Sequence, residues 1–530
     1  MHKSYDVIVA GAGSAGCALA YRLAKESTLD VLLLEAGSPA RNPMLHIPLG
    51  FAFLLKPHKN NWAYQTEPEK HLNDRRIDLP RGKVLGGCSA INGMVYIRGQ
   101  REDFDRWAAL GNSGWSFAEV LPYFRISEDF ENGADDYHGT GGPLWVGQVV
   151  DEFPINSAFI KACEQAGHPF NPDVNGATQA GVSWFPLNIR NGRRWSSASA
   201  FLGAGKSLPN LTVITHANVK RVVFEGQRAT AVDCDIRGKP VRITASQEVV
   251  LCAGAINTPK ILELSGIGQH DRLQALGIPV VHHLPGVGEN LHDHWNGYIK
   301  QNVAGAKTYF SESKPWAMVR NLFRYLVSRK GFLGNPAALI AVFYKSLDSA
   351  STPDAEIHFA PAASEFDASG NMRPIDAITV ATCGIRPSSR GAVHIRSTDS
   401  HAPPAIVLNF LASEYDQRVA IEALKKARAI IAQPALKPFV ADEFEPGVHV
   451  QSDAQILEYI RNTGNPVNHL AGSCRMGHDA MAVVDAQLRV HGVQGLRIAD
   501  ASIMPEIVSG NTHASCVMIG EKCAAMVLGR

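Results

Sequence analysis

No run of about 18 apolar residues occurs in the chain, so no membrane-spanning helix is expected. Charge of one sign is lacking too: 51 Lys and Arg stand against 50 Asp and Glu, a net charge of +1. Without a basic patch, nucleic-acid binding is not expected. Cysteine is sparse, nine residues scattered from Cys17 to Cys523, and none forms a C-x-x-C pair. Zinc-like spacing is therefore absent, and contexts such as "VVLCAGA" around Cys252 point to buried reduced thiols. The 20 histidines show no H-x-x-x-H pattern, so no metal is expected. The first strand opens at Tyr5 or Asp6, which leaves no room for a secretory signal. A soluble cytoplasmic protein is the expectation. No internal repeat or low-complexity tract occurs.

What is present is ample apolar material, 45% of 530 residues, enough for two domains or one large interleaved unit. Near the start, "VIVAGAGSAGCALAYRLA" joins a short Val/Ile-rich strand, Asp6 to Ala10, to a helix over Ala15 to Lys25. Between them Gly11, Gly13 and Gly16 form G-x-G-x-x-G. The first glycine permits a tight turn, the second a close backbone approach to a pyrophosphate, and the third close helix–strand packing. The helix start offers free N–H groups and a positive dipole end to phosphates. A second strand, "DVLLLEAG", carries Glu35, 19 positions beyond Gly16. An acid there accepts hydrogen bonds from a ribose 2′-OH and repels a 2′-phosphate. An adenosine diphosphate moiety is implied and NADP disfavoured; the motif does not separate NAD from FAD.

Further on, residues 75–101 form a second glycine cluster with flanking arginines, suited to wrapping the far side of a long cofactor. Residues 211–252 read as strands that run into "INTPKILELSGIG", where Thr258-Pro259 resembles a helix start. "LPGVGENLHDH" reads as a loop, and its His292 and His294 as structural. Arg98 and Arg101 read as solvated or fold-holding. Residues 301–464 carry no phosphate-loop signal. They hold strand candidates "AEIHFAP" and "GAVHIRS" and an amphipathic helix candidate "ASEYDQRVAIEALKKARAII", the texture of a separate lobe. From Gly495 a strand "GLRIAD" and a helix "SCVMIGEKCAAMVLG" resume the dinucleotide-fold pattern. The nucleotide domain is thus read as discontinuous, with another domain inserted.

Four segments in this order resemble the glucose–methanol–choline oxidoreductase family over nearly the full length: "RGKVLGGCSAINGMVYIRG", "GAINTPKILELSGIG", "NHLAGSCRMG" and "VHGVQGLRIADASIMPEIVSGNTHAS". Within it the chain is most similar to the bacterial FAD-dependent alcohol and choline dehydrogenases. The resemblance implies an α/β fold (α+β overall): a Rossmann-like FAD-binding domain with an inserted substrate domain built on an antiparallel sheet with helices. The expected division is 1–150, 191–300 and 465–530 for the FAD domain, 151–190 as a connecting or substrate-domain segment, and 301–464 for the substrate domain. Gly11, Gly13, Ser14, Ala15, Gly16, Glu35 and Ala36 would hold the ADP part of FAD, with Val219 against the adenine. Trp62, Arg81, Val84, Gly86, Gly87, Asn92, Gly93, Met94 and Val95 would line the pyrophosphate and flavin. Ala253, Gly254, Asp500, Ala501, Asn511 and Thr512 would close the far side. Some members link FAD through a histidine where this chain has Ile91, so non-covalent FAD is expected. Cys88, where serine is common, reads as packing. His513 replaces an asparagine common in "GNTNAP".

Oxidising an alcohol removes a proton from oxygen and a hydride from carbon. The proton needs a base, and an imidazole titrates near working pH. The resemblance assigns that base to His469, with His513 hydrogen-bonding the alcohol oxygen as a coupled imidazole partner. Phe332, Leu333, Asn335 and Asn468 are expected in the substrate wall. The reading is oxidation of a primary or secondary alcohol or polyol, with electrons passed to a quinone or another acceptor. The alternatives are an oxidase producing hydrogen peroxide, a lyase or photodecarboxylase on the same scaffold, and a non-enzymatic flavin module. With no acidic cluster to hold a quaternary ammonium, neutral alcohols are favoured over choline.

Overall fold

The computed structural model describes residues 4–149, 153–336, 338–366 and 372–530. Two seven-stranded sheets organise it. In the first, Leu211–Thr215, Val31–Glu35, Ser4–Ala10 and Lys239–Leu251 lie side by side in parallel. In the two central strands, Ser4–Ala10 and Val31–Glu35, the Val, Leu and Ile side chains are buried on both faces, the pattern of a parallel sheet covered by helices. Lys239–Leu251 is long enough to serve two partners. Its start pairs antiparallel with Arg228–Ile236, which pairs in turn with Ala217–Glu225, and its end pairs in parallel with Leu496–Ile498. A strand from near the C-terminus therefore completes a sheet begun at residue 4.

The second sheet is antiparallel throughout. Its order is Val440–Glu445, Trp295–Val303, Ala377–Gly384, Ala355–Ala360, Ile340–Tyr344 and Gly181–Trp184, with Asn465–Pro466 also on Trp295–Val303. The expected division at residue 300 falls inside Trp295–Val303, which belongs to this sheet along its whole length. Helices Pro154–Gln165 and Glu414–Ile431 contribute to its core. Ser413 caps the latter helix by accepting from the Asp416 N–H.

Three local features bring the glycine loop, the strand ends and the last helix together. Gly11 has φ +114, and a Cβ there would lie 2.4 Å from the Cys252 carbonyl oxygen. A Cβ at Gly16 would lie 1.9 Å from the Gly11 carbonyl oxygen. The glycine loop thus seals the first helix, Ser14–Glu26, onto the strand ends. Secondly, the helix expected to start near Thr258 starts at Gly254 and runs through Pro259 to Leu264. Proline cannot donate to the carbonyl four residues back, and the Ser473 hydroxyl donates to that carbonyl, Ala255, at 2.6 Å. Thirdly, the last helix, His513–Val527, packs against Ser14–Glu26. Gly520 permits the approach, since a Cβ there would lie 2.3 Å from the Ala15 carbonyl oxygen.

The same two helices share an ion pair, Arg22 Nε to Glu521 Oε2 at 2.6 Å and Nη2 to Oε1 at 3.0 Å, with side chains 6% and 1% exposed. All nine cysteines are unpaired, and seven are buried. Arg98 is wholly buried and holds Glu128 at 2.7 Å, a fold-holding contact. Removing one partner of a buried pair strands the other charge. Glu521→Ala is expected to cost about 3–5 kcal/mol, and the double variant Arg22→Met/Glu521→Leu much less, as read by denaturant unfolding.

Candidate active site

One long cavity of about 380 Å³ runs from the strand ends of the first sheet to the second sheet. At one end Gly11, Gly13, Ser14 and Ala15 border it together with Glu35, Ala36 and Val219. Gly13 precedes the helix Ser14–Glu26 with no side-chain cap on its first turn. A Cβ at Gly13 would meet no protein atom within 4 Å, so the bare backbone faces open space. Glu35 is buried and accepts from the Ala12 N–H (3.1 Å) and the Gly37 N–H (2.8 Å). Burial pushes its carboxyl up to about 7, and a hydroxyl donor such as a ribose would favour the ionised form.

The middle is bordered by Trp62, Arg81, Gly87, Asn92, Gly93 and Val95 on one side and by Ala253, Gly254, Asp500, Ala501 and Thr512 on the other. Asp500 joins two elements: its carboxylate accepts from Gly254 N–H (2.8 Å), the Thr258 hydroxyl (2.6 Å) and Ser502 N–H (2.8 Å). Lys83 lies 4.2 Å from the centre of the Trp62 ring, which stacks on Tyr64.

At the far end stand Asn468, His469 and Asn511. Asp293 organises them. Its Oδ1 accepts from the backbone N–H groups of both His294 and His469, each at 2.7 Å. The two rings meet at 3.0 Å, Nδ1 to Nδ1. His294 Nε2 lies 3.1 Å from the Ile385 carbonyl, which can only accept, so that nitrogen carries a hydrogen. Burial pushes His294 down to about 3, so its ring is neutral and its Nδ1 is a bare acceptor. His469 must then donate from Nδ1, which leaves its Nε2 as the lone-pair nitrogen. Asn511 Nδ2 donates to that atom at 3.0 Å. Burial, reinforced by the nearby His294, His358 and Arg81, holds His469 well below the ordinary imidazole value. Burial alone pushes Asp293 up, to about 7.

His513 borders the same cavity but shares no hydrogen bond with His469. It opens the last helix, its Nδ1 shares a 2.8 Å hydrogen bond with Ser14 of the glycine loop, and burial lowers it to about 4. The expected histidine pair is therefore corrected: Asn511, assigned to the cofactor, meets His469. Asn511 lies just ahead of the helix and His513 is its first residue, and the two side chains meet different partners, which a motif does not reveal. His294, expected as structural, is wholly buried off the cavity and holds the His469 ring. His292 is a satisfied core histidine, its Nδ1 2.6 Å from the Asn290 carbonyl and its Nε2 accepting from Ile507 N–H.

Other expected residues lie off the cavity. Gly16 packs on Gly11. Gly86 N–H donates to the Ala12 carbonyl at 2.8 Å, tying the two glycine clusters together. Val84 and Met94 are buried in small cores. Phe332 packs edge-on against Tyr309, Leu333 joins the same core, and Asn335 also lies off the cavity. Their place in the wall is taken by Ala338, His358, Val467 and Leu470. His358 comes from the strand Ala355–Ala360, whose sequence carries no sign that it faces a site.

Residues 5–296 match the N-terminal and residues 387–520 the C-terminal description of GMC oxidoreductases. The chain belongs to this family. Such a GMC oxidoreductase is FAD-dependent and acts on CH–OH groups. The chain is 41% identical to an oxygen-dependent choline dehydrogenase of Pectobacterium carotovorum, over 99% of this chain and 95% of that one. In structure it is similar to pyridoxine 4-oxidase from Mesorbium loti (TM-score 0.89, 31% identity, 99% of each chain). It is also similar to an FAD-dependent oxidoreductase from Chaetomium thermophilum (TM-score 0.90, 27% identity, 99% of each chain). The cavity fits FAD on its own features. A bare glycine loop and two helix starts without side-chain caps suit phosphates. Buried His513 Nε2, Asn511 Oδ1 and Asn468 Oδ1 border it without a partner in the protein.

The hydrogen-bond chain predicts a single tautomer for His469. In ¹⁵N-histidine NMR, Nδ1 is expected protonated and Nε2 bare at neutral pH, with protonation of Nε2 only on the acid side of the ordinary imidazole range. In His294→Ala the two tautomers are expected to mix. A protonated Nε2 in the unaltered protein would contradict the chain.

Proposed function

We propose that this GMC oxidoreductase oxidises a neutral primary or secondary alcohol, with His469 as the base and Asn511 as the group that holds the alcohol oxygen. The observation that carries this reading is the bare Nε2 of His469, fixed by His294 and met by Asn511, on the same cavity as the glycine loop. FAD, when bound, accepts a hydride at N5 of its ring. The protein residues supply the rest. His469 Nε2 takes the hydroxyl proton and becomes imidazolium, with its Nδ1–H still held by His294. Asn511 Nδ2 donates to the oxygen as negative charge develops there. Because burial keeps His469 neutral, the base is ready at neutral pH, and activity should fall only on the acid side of the usual imidazole range. The non-covalent mode of FAD binding accords with Ile91 on the cavity wall, which offers no nucleophile.

The substrate wall supports a neutral guest. The apolar part of the cavity lining includes Ile91, Val95, Ala338, Val467 and Leu470. Among the described residues, the carboxylates bordering the cavity are Glu35 and Asp500, both beside the glycine loop and strand ends. Glu356 is wholly buried and lies 2.9 Å from His358 Nε2, away from the cavity surface. A quaternary ammonium would find no free carboxylate there. Choline, the substrate named for the dehydrogenase relatives, is the second reading.

His469→Ala is expected to retain FAD and to lose about 10²- to 10⁴-fold in the rate of anaerobic flavin reduction by alcohol. Near-normal reduction in that variant would remove His469 from the reaction. In the unaltered enzyme, alkanols are expected to bleach the flavin faster than choline. A soluble quinone is expected to reoxidise it faster than oxygen; stoichiometric peroxide would indicate an oxidase instead.

A further inference from the structure

The helix Pro315–Ser328 buries only Asn321 and Tyr325. Turned to solvent are Trp316 (87% exposed), Val319, Leu322, Phe323 (70%), Leu326 and Val327 (71%). At about 100° per residue these six side chains fall within one arc of about 140°. Single exposed apolar residues are ordinary on a soluble surface, but a contiguous stripe on one helix is a contact site.

Charge identifies the partner. From Lys314 to Lys330 the chain carries Lys314, Arg320, Arg324, Arg329 and Lys330 and no acid. Arg320 and Arg324 follow Trp316 by four and eight positions and flank one edge of the apolar arc. The flanking acid, Glu312, is occupied by Arg320 at 2.6 Å. A second copy of the chain on this face would set like charges against each other. A bilayer with anionic headgroups offers hydrocarbon to Trp316 and Phe323 and negative charge to the arginines. Fourteen residues of helix span about 21 Å, too short to cross a membrane and suited to lying in its surface.

A second apolar element is joined to this helix. Phe332–Gly334 packs against both the helix and Pro48–Gly50. Just beyond, Phe53 is 67% exposed, Leu55 is exposed, and Lys56 and Lys59 follow on the surface. Phe51 and Leu55 also border the cavity, so the patch reaches its mouth. We propose that Pro315–Ser328, together with Phe53 and Leu55, seats the protein on an anionic lipid bilayer with the cavity mouth beside the lipid. The docking is independent of which alcohol is oxidised.

The test is flotation of the FAD-loaded enzyme with vesicles of phosphatidylcholine alone, or mixed about two to one with phosphatidylglycerol. The enzyme is expected to float with the mixed vesicles and to be released by salt. Phe323→Glu/Val327→Glu should lower the bound fraction about tenfold or more. Arg324→Gln/Arg329→Gln should reduce binding to the level seen on phosphatidylcholine. Both variants should keep their FAD and their turnover of a water-soluble alcohol. Absence of flotation with mixed vesicles would overturn the proposal. So would equal flotation of the glutamate variant, or light scattering in which that variant splits a dimer that binds no vesicles.

Discussion

One carboxylate oxygen, Asp293 Oδ1, accepts the backbone N–H groups of His294 and His469, which are 175 positions apart in the chain. Everything the site can do depends on that junction. His294 stands at the entry to a strand of the second sheet, and His469 lies on the segment returning to the first. Pinning both amides to one atom sets the two rings edge to face, with centres 5.3 Å apart. The Ile385 carbonyl then dictates which nitrogen of each ring is protonated. A backbone carbonyl cannot change roles, so the order passes through His294 to Nε2 of His469 without a charge in the chain.

Burial does the complementary work. It keeps His294 and His469 neutral, and it raises Asp293 rather than lowering it. A fully charged Asp–His pair would be held at a large desolvation cost. Here the carboxylate is turned to amides, and the imidazoles to each other and to Asn511. At the opposite end of the cavity the logic is electrostatic in another sense. Uncapped helix starts and a glycine backbone offer N–H groups to an anionic ligand, and Glu35 stands where a sugar hydroxyl would donate. The cavity is thus cationic in character by backbone at one end and poised for proton transfer at the other.

The surface continues that polarity. The apolar stripe on Pro315–Ser328 leads by way of Phe332–Gly334 to the cavity mouth at Phe51 and Leu55. Phe332, expected in the substrate wall, instead fills the core that supports this outer helix.

Much was legible in the residues alone. The glycine spacing, the Val/Ile/Leu runs and Glu35 determined a nucleotide-binding α/β unit, because those patterns act locally over a few tens of residues. The four motifs determined the family and pointed to His469. Tertiary structure alone decided which side chain meets His469. Asn511 and His513 are two residues apart, and only the way the chain turns into the last helix sends one to the imidazole and the other to Ser14. It also decided the role of His294, since a contact across 175 positions leaves no spacing to read. The same holds for His358, whose inward face is set by strand register, and for Ser473, whose hydroxyl takes the carbonyl that Pro259 frees. Local pattern determines which elements form; which side chains converge depends on how distant elements close on one another.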